Sequence, residues 1–149
     1  IRTTPPNMFD MRINSHSRLP LILALNEAIA AGADEALMLD PAGNIASCNA
    51  TNFFWVKDSE LRTATGAFCF NGITRANVLA VARQAGLAVA EADFAPDDLI
   101  GASEGFVTGT FGGLTPVAAI DGRALPQPLP GPMTAQLIAL YETLKDRAA

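Results

Sequence analysis

Apolar residues recur at Leu19, Ile22, Leu23, Leu25, Ala28 and Ile29. That spacing predicts a helix over Leu19 to Ala31, with Pro20 acceptable in its first turn and Gly32 past its end. Ala36-Leu37-Met38-Leu39 predicts a short buried strand, and Asp40 to Asn44 a turn. Ile45 to Asn49 and Asn52 to Val56 read as strands around an irregular Ala50-Thr51. Asp58-Ser59 is a hairpin turn into Leu61-Arg62-Thr63. Val78 to Ala85 carries the next helical pattern, closed by Gly86. Leu87 to Phe94 is a strand, Pro96 to Ala102 a short helix, and Gly105 to Thr110 and Leu114 to Ile120 are strands. Asp121-Gly122 is a strong hairpin turn. Pro132 to Asp146 is an amphipathic helix with Leu137, Leu140, Tyr141 and Leu144 on one face. Ile1 to Asn14, with Pro5-Pro6 and no periodicity, is expected to be extended. Helices alternate with strands and hairpins follow, so the fold class is α/β or mixed α+β.

Composition narrows the function classes. The 149 residues suffice for one domain with a real core. A net charge of -5 and scattered Lys and Arg argue against a nucleic-acid or acidic-membrane surface. No apolar run approaches the ~20 residues of a membrane span. Ile1 to Asn7 shows no signal-peptide pattern. Cys48 and Cys69 lack CxxC spacing and suit a reducing cytosol. The chain starts at Ile1 rather than Met and is expected to be a piece of something longer.

Two stretches suit an anion. Phe70-Asn71-Gly72-Ile73-Thr74-Arg75-Ala76-Asn77-Val78 reads as a loop turning into a helix. Gly72 there is expected to take a conformation other residues resist, and Thr74 to be the N-cap. The first amides of such a helix and the Thr74 hydroxyl together suit a phosphate; the other reading is an ordinary capped helix. Thr108-Gly109-Thr110-Phe111-Gly112-Gly113 runs from a strand end into a hydroxyl-rich turn. It suits a phosphate or carboxylate, or is a simple glycine turn. The single histidine, His16, lies in a polar loop-like run and gives no nucleophile triad. No metal-ligand cluster stands out, Asp97-Asp98 reading as a helix start.

The chain resembles the class IV, fold-type IV pyridoxal-phosphate enzymes: branched-chain and D-amino-acid aminotransferases and aminodeoxychorismate lyases. The resemblance covers about Leu19 to Tyr141. It is carried by Ala31 to Asp40, Asn52-Phe53-Phe54, Val56-Lys57-Asp58 and Gly72-Ile73-Thr74-Arg75. It continues in Phe106-Val107-Thr108-Gly109-Thr110, Thr115-Pro116-Val117, Ile120 to Arg123 and Pro130-Gly131-Pro132.

The resemblance implies a larger C-terminal cofactor domain over 19–149, a sheet or pseudo-barrel with flanking helices. Residues 1–18 become an interdomain segment, and the smaller N-terminal domain is missing. It implies pyridoxal 5'-phosphate as cofactor, its phosphate held by Gly72, Ile73, Thr74 and Thr110, with the substrate carboxylate near Phe111 and Gly112. It implies amino-group transfer between an amino acid and a 2-oxo acid in a cytoplasmic homodimer. The alternative is a non-catalytic or lyase-type relative.

Two positions depart from the family. The lysine that forms the Schiff base is expected near Arg12, Ile13 or Asn14, yet the only lysines are Lys57 and Lys145. The ring-nitrogen glutamate is replaced by Ser47, whose hydroxyl can only hydrogen-bond. The segment Ile1 to Ser17 is expected to have nothing of its own to pack against. Arg12 to Arg18 are expected along the rim of the cofactor pocket.

Overall fold

Four consecutive apolar residues, Phe53-Phe54-Trp55-Val56, are buried on both faces of a sheet, as an unbroken apolar run requires. A computed structural model describes residues 1–3, 10–13, 16, 18–126 and 128–148. In chain order the elements are α1 (Leu19–Ala30), β1 (Leu37–Leu39), β2 (Ile45–Cys48), β3 (Asn52–Lys57), β4 (Glu60–Ala64), α2 (Ile73–Gln84), β5 (Ala88–Ala92), β6 (Glu104–Gly109), β7 (Gly113–Pro116), β8 (Ala119–Ile120), β9 (Arg123–Ala124) and α3 (Pro132–Ala148). The fold is mixed α/β.

The main sheet has the order β5-β4-β3-β6-β7, with β4 and β5 parallel and the other neighbours antiparallel. Side chains alternate across β3. Phe54 and Val56 pack with Leu61 and Phe106 under α2 and α3, where Val78, Leu79, Leu137 and Tyr141 complete one core. Phe53 and Trp55 face the other way, onto Ile45 and Ala102. The rings of Phe54 and Phe106 stack 5.0 Å apart, and Phe94 meets Trp55 edge-on at 4.9 Å.

Both expected hairpin turns form. Asp58 and Ser59 have φ of 53° and 61°, and Asp121 and Gly122 of 48° and 74°, the twist that two-residue hairpins need. The N-terminus of α3 is held by Glu104 on β6, whose carboxylate accepts from the amides of Met133 at 3.0 Å and Thr134 at 2.7 Å.

Several expectations need correction. Helix α2 starts at Ile73, ahead of Val78, because its first turn is anchored by polar groups that a hydrophobic pattern does not register. The strand expected over Leu114 to Ile120 splits into β7 and β8 after Pro116, which has no N–H for a ladder. The helix expected from Pro96 to Ala102 is a single 3-10 turn over Pro96–Leu99. Residues 1–3 do pack: Thr3 donates to the Leu39 carbonyl at 2.6 Å and Leu39 to that of Ile1 at 3.1 Å. Thr3 and Met11 are buried, so the leading segment is not wholly unsupported.

Candidate functional site

Strands β3 and β6 are antiparallel neighbours, with Asn52 opposite Thr108. The start of β3 and the end of β6 therefore share one edge of the molecule. The loop before α2 crosses that edge, and a cleft of about 710 Å³ opens there. Ser47, Gly72, Ile73, Thr74, Thr110, Phe111 and Gly112 all line it. The two stretches singled out as anion sites, far apart in the chain, thus face one space.

The start of α2 differs from expectation in two ways. Its N-cap is Gly72, not Thr74; Thr74 is buried inside the first turn. Gly72 has φ -63° and ψ 146°, open to any residue. What favours glycine is space: a Cβ there would lie 2.9 Å from Asn52 Oδ1, which would have to shift. With no side chain on the cap, the first helical amides lack a capping acceptor, and Ala76 is the first to bond back, to the Gly72 carbonyl at 3.0 Å. Among the described residues no hydrogen bond engages the Thr74 hydroxyl. Free amides, the positive end of the helix dipole and a hydroxyl make this corner fit a phosphate. Thr110 to Gly112 form the exposed turn between β6 and β7 and line the same cleft.

Arg75 holds the corner in place. Its guanidinium is buried, donating to the Ala64 carbonyl and to Glu91, each at 2.8 Å. Arg83 from the far end of α2 also binds Glu91. Burial works against the Glu91 charge, but the hydrogen bonds from Arg83 and Arg75 outweigh it and its pKa falls below the usual value.

Ser47 lies in β2, opposite Met38 of β1. Its hydroxyl donates to the Thr51 carbonyl at 2.7 Å and accepts from Asn52 Nδ2 at 3.3 Å. The single hydroxyl proton is therefore engaged, leaving a lone pair for a ligand. Thr51 is itself tied to Glu35 at 2.6 Å, which stiffens this turn.

Asn52 is the residue that pattern reading passes over. Its amide also donates to the Phe70 carbonyl at 2.9 Å, joining β3, Ser47 and the loop ahead of α2. A buried amide at the head of a strand, where Asn is uncommon, is the signal that marks it. Cys69 lies beside it, Asn52 Nδ2 being 3.6 Å from its sulfur. Burial pushes that thiol up, against the lowering effect of the Arg75 charge. Burial, with Glu35 adding to it, raises Cys48 as well. Neither thiol is a ready nucleophile.

Ile13 and Arg18 line the cleft, whereas Arg12 does not; it turns to Asp10, with contacts of 2.7 to 3.2 Å. Of the expected rim segment Arg12 to Arg18, Ile13 and Arg18 therefore line the cleft, while the Asp10 carboxylate holds Arg12 away from it. Asn14 lies outside the described residues. Lys57 and Lys145 are both outside the cleft. Among the described residues lining it, Arg18 is the one charged side chain. The cleft fits a phosphate-bearing ring, and neither lysine of this chain is placed to link to it. No described group of His, Cys, Asp and Glu could hold a metal ion. Among the described residues, no helix is long and apolar enough to cross a membrane.

Comparison with known proteins agrees with this geometry. The family model for amino-transferase class IV matches residues 2–120. The chain is 41% identical over 120 residues to a branched-chain-amino-acid aminotransferase of Pseudomonas aeruginosa, covering 80% of this chain and 39% of that protein. It is 40% identical over 126 residues to a D-alanine aminotransferase of Listeria monocytogenes, covering 84% and 43%. The branched-chain amino acid aminotransferase from Thermobaculum terrenum, solved in its PLP form, superposes with a TM-score of 0.91 at 31% identity. That match covers 96% of this chain and 48% of the other. The chain spans less than half the length of each of these three proteins. With the family model matching residues 2–120 and the fold superposing on a solved member, the chain belongs to the class IV aminotransferases.

Proposed function

We propose that this chain is the cofactor-holding part of a pyridoxal-phosphate-dependent aminotransferase. It moves an amino group between an amino acid, branched-chain-like or of D configuration, and a 2-oxo acid. The observation that carries this reading is the convergence of the open α2 N-terminus, Thr74 and Thr110 on one cleft. The names of the relatives, and their structures with bound cofactor, support it. When bound, the cofactor supplies the electron sink for bond breaking at the substrate α-carbon. Ile73, Thr74 and Thr110 hold its phosphate, with Gly72 giving room for its approach. Ser47 stands by the ring nitrogen, and Phe111 with Gly112 receives the substrate carboxylate. In this reading residues 1–18 are an interdomain segment and 19–149 the C-terminal domain. A preceding domain and a second copy complete the pocket, in the cytoplasm.

One observation favours a second reading, that of a relative that binds the cofactor without turnover: neither Lys57 nor Lys145 lines the cleft. A half-reaction separates the two. The protein loaded with pyridoxal 5'-phosphate is mixed with L-leucine, L-valine or D-alanine, and conversion of the aldehyde to the amine form is followed by absorbance. Conversion supports the transferase; saturable binding without conversion supports the second reading.

A further inference from the structure

We propose that this chain holds its phosphorylated pyridine cofactor without a covalent link, so that aldehyde and non-aldehyde forms bind equally well. The inference rests on the pyridoxal-phosphate reading above, and it concerns how the cofactor is retained rather than whether it turns over. An aldehyde cofactor is ordinarily anchored by an imine to a lysine amine. This chain has two lysines.

Lys57 is the last residue of β3, whereas the cleft lies at Asn52, the first. At ~3.3 Å per residue the two ends of the strand are roughly 16 Å apart. The Lys57 ammonium is also engaged, donating to the Asp98 carbonyl at 3.3 Å. Lys145 sits in the last turn of α3 with Glu142 at 2.7 Å and the Tyr141 ring at 5.5 Å. Arg18, the charged group at the cleft, carries a guanidinium, which forms no imine with an aldehyde.

The ring wall is equally neutral. Ser47 has its proton on Thr51 and receives one from Asn52. No carboxylate lines the cleft among the described residues. Affinity then comes from the phosphate and the ring, which the aldehyde, amine and alcohol forms share. A lysine-anchored site instead favours the aldehyde, because the imine adds to its binding alone.

The test is a pair of titrations on the purified protein, with pyridoxal 5'-phosphate and with pyridoxine 5'-phosphate, the alcohol. Borohydride reduction and intact mass follow. The expected result is two affinities within about threefold of each other and an unchanged mass. An aldehyde preference above about tenfold, or a gain of one cofactor mass that Lys57→Arg or Lys145→Arg removes, overturns the inference while leaving the cofactor reading standing. Binding of neither ester overturns the cofactor reading and this inference together.

Discussion

Asn52 and Gly72 both line the cleft, and a Cβ on Gly72 would lie 2.9 Å from the Asn52 carboxamide oxygen. The amide nitrogen of the same Asn52 holds the Phe70 carbonyl at 2.9 Å, so Asn52 fixes the loop whose glycine it crowds. Gly72→Ala is therefore expected to shift either Asn52 or the start of α2, with no backbone strain involved. Affinity for pyridoxal 5'-phosphate should fall roughly tenfold, about 1.4 kcal/mol. In an Asn52→Ala background the same Gly72→Ala change should cost much less, since neighbours in contact are not additive. Equal costs in the two backgrounds, measured by titration, would show that the contact does not limit the site.

Thr74 and Thr110 line the same cleft from different elements, one buried in the first turn of α2 and the other exposed in the β6–β7 turn. A hydrogen bond to a charged group contributes ~1.5–3 kcal/mol. Thr74→Ala and Thr110→Ala are each expected to weaken phosphate-ester binding by about ten- to hundredfold. Thr→Ser at either position should retain most of the affinity. If both alanine variants bind as the parent does, the phosphate lies elsewhere.

The hydrophobic pattern made the elements legible because period and turn chemistry agree in them. Phe53 to Val56 announces a central strand, and Asp121-Gly122 a tight hairpin. What it missed is polar and non-local. Thr74, Arg75 and Asn52 are buried, and their partners, such as Glu91 and Phe70, lie well away in sequence. No periodicity encodes such pairings, so the pattern alone sets the start of α2 too late and gives Thr74 the cap. The two anion stretches were readable singly, by their glycines and hydroxyls. That they line one cleft is supplied only by the fold, which pairs the start of β3 with the end of β6.

Glu91 gives the corner a pH dependence. Its folded pKa lies below the ordinary 4.5, with burial opposing and the hydrogen bonds and charges of Arg83 and Arg75 prevailing. The stabilisation is therefore fully present above that ordinary value and is lost as pH falls through the lower folded one. Thermal melts from about pH 6 to about pH 3 should show wild type losing on the order of 1 kcal/mol more than Glu91→Gln. The comparison with Glu91→Gln leaves the exposed Asp10–Arg12 pair common to both proteins. Parallel curves would mean that the Arg75–Glu91 contact contributes nothing measurable.

Helix α1 presents an apolar face that the described residues do not cover. Ala24 and Ala28 are buried, whereas Leu19, Ile22, Leu23 and Ile29 are 65%, 51%, 51% and 62% exposed. Ile13 and Ile73, which line the cleft, are exposed at 61% and 70%. Single apolar residues are common on surfaces, but a contiguous cluster of this kind marks an interface. Each such side chain gains about 1.5–3 kcal/mol on full burial, so covering several outweighs the ordering of side chains at the contact. The 149-residue chain alone is therefore expected to associate with a second copy through this face. Light scattering should give a mass at least twice that of one chain. Ile22→Glu with Leu23→Lys, on the outer face and off the cleft lining, should return the mass to one chain without changing phosphate-ester affinity. A parent chain that is already a monodisperse monomer at high concentration would show that α1 needs no cover.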